Sequence, residues 1–284
     1  MNYFFSLIFA LLILSSCGSD DTNIDTVQSK THYDLALELA QYGLYENSLE
    51  EFDLAIKFNP SNINAYRKKG VVQFGLKQYE EAERLFKKVI SIDPDNVQAH
   101  INLGMVKYST GDKVEAKKLW NKSINIKTDD NDSKAINNLA NLFKEEKKYD
   151  KAIEYYRLAN NNDPSNSMYL NNLADSLRLN NQLDEALKVL QNSLKLNLAG
   201  MGTHFNLAMV YKDQKKNKKS ISHFEKSLKV NPSLIDAHYQ MAQIYLSTKN
   251  IDDALQSIEK VLKLAPSNLK YQGAREKIFS IQNK

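Results

Sequence analysis

Small and large residues recur along this chain at a fixed spacing of 34. One column reads Ala36, Gly70, Gly104, Ala140, Ala174, Ala208 and Ala242, and a second reads Ser48, Ala82, Ala116, Ala152, Ala186, Ser220 and Ala254. Four residues beyond the second column every position is large: Phe52, Phe86, Trp120, Tyr156, Leu190, Phe224 and Ile258. The first column is preceded by Leu or Met in six of the seven units, Lys69 being the exception. Small residues where two helices approach, with large ones filling the space beside them, are what a dense helical core requires. The pattern predicts seven helical hairpins in succession.

The five prolines set the frame. Pro60, Pro94, Pro164, Pro232 and Pro266 are separated by 34, 70, 68 and 34 residues, multiples of 34 with one slip of two near Asp129–Asp132. Proline lacks an N–H and clashes with the preceding turn, so each marks the end of one unit. Thr128 and Leu198 stand where the third and fifth units would carry it. With proline at position 32, the units run 29–62, 63–96, 97–130, 133–166, 167–200, 201–234 and 235–268. A period of this length is the signature of stacked helix pairs. The columns, and segments such as Tyr79–Phe86 (YEEAERLF) and Tyr149–Tyr156 (YDKAIEYY), resemble the tetratricopeptide repeat. That resemblance implies an all-α solenoid, a right-handed superhelix whose first helices line a concave side. The polar segment 269–284 would close the last apolar face as a capping helix, as such arrays need.

The amino terminus reads as an address. Tyr3–Leu14 (YFFSLIFALLIL) is a dozen apolar residues, too short to span a bilayer and suited to a secretion signal. It ends in Leu14-Ser15-Ser16-Cys17, which resembles the lipobox of bacterial lipoproteins; Cys17 is the one cysteine of the chain. The resemblance implies a signal peptide over 1–16, acylation (palmitate) at Cys17, and a flexible tether over 17–28. Gly18 after the cysteine resembles the outer-membrane sorting pattern, and Ser19-Asp20-Asp21 looks like a surface-export tag. The expected place is therefore the bacterial cell envelope, anchored at the outer membrane facing the periplasm or exposed at the surface.

Composition narrows the chemistry. Basic residues number 38 and acidic 34, leaving +4, which gives no electrostatic case for nucleic acid. The cluster Lys215-Lys216-Asn217-Lys218-Lys219 reads as a solvated turn between helices, with a patch for an acidic partner as the other reading. One cysteine permits no intramolecular disulfide. Histidines His32, His100, His204 and His238 share position 4 of their units and point into separate hairpins, with His223 alone on a second helix. They are read as packing residues. The acidic run Asp129–Asp132 lacks the glycine and distal glutamate of a calcium loop. No phosphate loop or nucleophile elbow is present, so neither catalysis, cofactor nor metal is expected.

One column asks for a functional reading. Position 6 holds Asp34, Lys68, Asn102, Asn138, Asn172, Asn206 and Gln240, five carboxamides in succession on first helices. Asn is a poor helix former, so folding alone does not select it there. Each carboxamide can bond both the C=O and the N–H of an extended backbone. Repeats about 8–10 Å apart would meet roughly one residue in three of a threaded peptide. The column resembles the asparagine ladders of O-linked N-acetylglucosamine transferases and kinesin light chains. A carboxylate clamp is incomplete: Arg67, Asn102 and Lys134 fill three of its five columns, while Val71 and Asn138 replace the others. The expectation is a non-enzymatic scaffold, lipid-anchored, that holds extended segments of partner proteins, with no small-molecule substrate. The alternative is a structural subunit of an outer-membrane assembly, pilus or secretion machine that works through its edges or convex face.

Overall fold

The computed structural model describes residues 21–126, 133–196 and 200–282, and among them every element is a helix. Cys17 and Asp129–Asp132 lie outside the described residues. Fifteen helices follow in order: α1 Asp21–Gln41, α2 Tyr45–Phe58, α3 Ile63–Gly75, α4 Tyr79–Ile92, α5 Val97–Ser109, α6 Lys113–Asn125, α7 Ser133–Glu145 and α8 Tyr149–Asn162. They continue as α9 Ser167–Leu179, α10 Leu183–Leu196, α11 Met201–Asp213, α12 Asn217–Val230, α13 Ile235–Ser247, α14 Ile251–Leu264 and α15 Leu269–Gln282. Odd-numbered helices are the first, and even-numbered ones the second, members of the expected hairpins. The chain divides into two compact units, Met1–Leu119 and Trp120–Lys284.

In the first unit α1 packs on α2 and α3 on α4. Phe52 is buried with Ala36, Ala55 and Ala65, and Phe86 with Ala82, Leu103, Val106 and Leu119. Small residues at positions 8 and 20 let the helices close. Where position 20 is serine, its hydroxyl is satisfied on the opposite backbone, as Ser48 Oγ donates to Ala36 O at 2.8 Å. Gly70 has no room for a methyl: a Cβ there would lie 2.7 Å from Phe86 Cε1. Lys69, out of pattern at position 7, is buried yet keeps its charge matched by Asp53 at 2.6 Å. The helix α1 starts at Asp21, four residues into the stretch read as a tether, and takes up its last eight residues. Acidic residues near a helix start favour that extension, and Val27 on it is exposed.

In the second unit the hairpins α7–α8, α9–α10, α11–α12 and α13–α14 repeat the arrangement, and α15 packs on α14. Ser220 Oγ donates to Ala208 O at 2.7 Å, the counterpart of Ser48. Tyr156, Leu190, Phe224 and Ile258 are fully buried at position 24. The last helix buries Tyr271 and Ile278 against α14 and turns Glu276 outward, where the other units carry Ala or Gly.

Two regularities explain the turns. Position 15 of all seven hairpins has a left-handed backbone: Gly43, Lys77, Gly111, Lys147, Asn181, Lys215 and Lys249, with φ between 58° and 93°. Reverse hydrogen bonds close each turn, for example Lys148 N to Phe143 O at 2.8 Å. Lys215 and Lys216 are thus turn residues, and Lys219 on the first turn of α12 lies 5.5 Å from the Tyr211 ring centroid. Between hairpins, Asn62, Asn96 and Asn166 cap the next helix by accepting from Ala65 N, Ala99 N and Met168 N. Lys147→Gly should raise the thermal midpoint of the second unit, by about 1 kcal/mol of relieved left-handed strain. A lower midpoint would contradict it.

Candidate functional site

In the second unit the first helices α7, α9 and α11 are tied side by side through residues of the predicted ladder. Asn172 Nδ2 donates to Asn137 Oδ1 at 3.0 Å, and Asn206 Nδ2 donates to Asn171 O at 3.0 Å. Gln240 on α13 accepts from Lys212 Nζ of α11. Asn102 belongs to the first unit, and Asn138, Asn172, Asn206 and Gln240 to the second. All five are half-buried.

These bonds give the asparagines a task that the sequence reading did not assign. Each of Asn172 and Asn206 spends one N–H holding its helix to the preceding first helix. Each retains its acceptor oxygen and a second N–H, which among the described residues have no partner. Asn102 makes no side-chain hydrogen bond among the described residues. Arg67, one of the incomplete clamp residues, donates to Asn64 Oδ1 at 3.1 Å on its own helix.

Beside the carboxamides runs a row of charge at positions 9, 12 and 13, one to two helical turns further on. Lys144 Nζ lies 3.2 Å from Asp175 Oδ2, while Arg178 donates to Asp175 Oδ1 and Asp213 Oδ2, both at 2.9 Å. Burial works against the Arg178 charge, but its two carboxylates outweigh that and raise its pKa. Lys212 donates to Gln240 Oε1 and, at 3.0 Å, to Gln243 Oε1. Sequence reasoning missed this row, although Lys144, Arg178 and Lys212 stand 34 residues apart.

The histidines divide into three kinds. His100 and His238 are buried, with Nε2 2.8 Å from Pro94 O and 3.0 Å from Pro232 O, so they tie position 4 to the preceding turn. His32 stacks on Phe58 and its Nδ1 lies 2.6 Å from Glu51 Oε2. His223 is not alone: its Nδ1 lies 3.2 Å from His204 Nδ1, with Tyr211 against its ring. The correction has a simple cause. Positions 4 and 23 of one hairpin face each other across its two helices, so a spacing of 19 joins what a spacing of 34 separates. Among the described residues no group of three or more His, Cys, Asp or Glu could hold a metal ion. None of the described helices is long and apolar enough to cross a membrane.

Hairpins in series, small-to-large seams and polar first helices define an all-helical repeat scaffold. Tetratricopeptide repeat models match residues 33–97, 73–142 and 211–278, and a model described as anaphase-promoting complex, cyclosome, subunit 3 matches 145–227. The chain belongs to the tetratricopeptide repeat family. No curated protein matches it in sequence. Among solved structures, a chain of the APC/C hetero-tetramer Cut9–Hcn1 is 16% identical with a TM-score of 0.69, covering 91% of this chain and 48% of its own. Yeast Tom70 is 21% identical with a TM-score of 0.65, covering 90% of this chain and 56% of its own. Pseudomonas aeruginosa pilF is 18% identical with a TM-score of 0.63, covering 76% of this chain and 97% of its own. The present chain therefore spans about half the length of the Cut9–Hcn1 chain it resembles. These likenesses concern the fold.

Proposed function

We propose that the protein is a non-enzymatic scaffold or adaptor of the bacterial cell envelope, acylated at Cys17, that holds extended segments of partner proteins along its first helices. The observation that carries the reading is the row of half-buried carboxamides on the successive first helices of the second unit. Asn172 and Asn206 are fixed in place by one N–H each, with an acceptor and a donor left over. A carboxamide held by its neighbour is pre-oriented, so less rotamer entropy is lost when a peptide backbone binds. Such contacts grip backbone and read little sequence, which suits a broad set of disordered segments that order on binding. The membrane part rests on the Leu14–Cys17 motif alone. Two acyl chains would provide stable anchoring.

Replacing Asn102, Asn138, Asn172, Asn206 and Gln240 together by Ala should abolish crosslinked capture of partner segments. Helical content, read by circular dichroism, should persist. Unchanged capture would reject the ladder and favour the structural-subunit role, exercised through edges or the convex face. Fatty-acid labelling that persisted in Cys17→Ala would exclude Cys17 as the acylated residue.

A further inference from the structure

Three cations occupy the same position in successive hairpins of the second unit, and they are treated unequally. Lys144 and Arg178 each have a carboxylate partner in Asp175, and Arg178 has a second in Asp213. Lys212 has none. Its half-buried ammonium donates to two neutral oxygens, Gln240 Oε1 and Gln243 Oε1, and makes no ion pair among the described residues. Burial lowers its pKa; Asp213 opposes that shift, and Arg178 adds to it through like charge. An ammonium has three donors, so one remains. Two amide dipoles compensate a charge less well than a carboxylate, so Lys212 is the point on this layer where an incoming anion gains most.

We propose that Lys212, with Gln240 and Gln243, receives the side-chain carboxylate of an Asp or Glu within the extended partner segment. This rests on the reading that segments lie along the first helices. It adds the property that reading lacks: selection by sequence. Backbone bonds to Asn172 and Asn206 accept almost any segment, whereas a charge opposite Lys212 fixes which residues pass and in what register. The acid is internal rather than a chain end, because carboxamides stand on both sides of the Lys212 helix: Asn172 on α9 and Gln240 on α13. A terminus docked at Lys212 would leave part of the row unused. Charge complementarity excludes a basic segment here, since Lys212 and Arg178 would repel it.

The test uses the full chain and synthetic peptides of about 12 residues, roughly 40 Å when extended. They are blocked at both ends and carry one central Glu, or Gln in its place. The Glu peptide should bind about tenfold more tightly than the Gln peptide, a preference weakened by salt. In Lys212→Met, which keeps the apolar stem, the Glu peptide should fall to the affinity of the Gln peptide, itself unchanged. Equal affinities in the wild type, or a preference that survives Lys212→Met, would overturn the Lys212 site while leaving the ladder standing. A preference confined to a Gln peptide with a free carboxyl terminus would overturn it in favour of end recognition. Failure of the wild type to bind any of these peptides would overturn both the site and the ladder reading on which it rests.

Discussion

Phe86→Ala should lower the unfolding free energy of the first unit by about 3–5 kcal/mol, the usual cost of emptying a buried aromatic site. Phe86 is 1% exposed and packed among Ala82, Leu103, Val106 and Leu119, with Gly70 beneath the ring. The same contact decides the sign of Gly70→Ala. Ala improves the helix interior by about 1 kcal/mol. Against this, the new methyl would sit 2.7 Å from Cε1 and 3.0 Å from Cζ of Phe86, closer than carbon atoms pack. Overpacking of that kind costs about 1–3 kcal/mol, so the net effect is a loss of about 1 kcal/mol. With Phe86→Leu in place the obstruction is gone, and Gly70→Ala should become stabilising. Hydrogen exchange of α3 to α5 with denaturant unfolding would measure the cycle, since neighbouring sites couple. Additive effects, or a loss below about 1 kcal/mol for Phe86→Ala, would mean that the ring does not fill this seam.

The hairpins were legible because their signal is redundant. Positions 8, 20 and 24 must each satisfy one steric demand seven times over, so an exception such as Lys69 cannot disturb the frame. The turns were less legible. Position 15 needs a left-handed backbone, which Gly43, Gly111 and Asn181 suit; at Lys77, Lys147, Lys215 and Lys249 the closing hydrogen bonds override the local preference. Asparagine was legible in part, because one residue type serves three geometries. At Asn62 and Asn96 it caps a helix, and at Asn172 and Asn206 it ties first helices together. Each of those two side chains keeps an acceptor and a second N–H beyond its tie. Abundance hid the caps, and the search for a ligand hid the ties. The charged row was readable as a column but not as a network, because which cation lacks an anion depends on where Asp175 and Asp213 sit.

Acid should loosen the α11–α12 hairpin selectively. Burial, then Lys226, then His204 push His223 down to about 4, and burial followed by Lys226 lowers His204. The charges acting on the pair are thus cationic: Lys226, and for His223 the second imidazole itself. With folded values below the unfolded value near 6.5, the unfolded chain binds more protons in this window. The stability is fully present above pH 6.5 and is lost progressively as pH falls toward 4. His223 is partly exposed, so solvent screening reduces the loss from the full linkage value to about 1–2 kcal/mol. The first hairpin supplies the contrast: there the same two positions hold His32 and Glu51, with Nδ1 2.6 Å from Oε2, so the imidazole faces a carboxylate in place of a second imidazole. Amide exchange of α11 and α12 should therefore accelerate between pH 6.5 and 4.5 relative to that of α7 and α8. His223→Glu, which rebuilds the arrangement of the first hairpin, should remove the difference. If exchange in α11–α12 follows that of α7–α8 across this range, or if His223→Glu leaves the acceleration in place, the histidine pair is not its source.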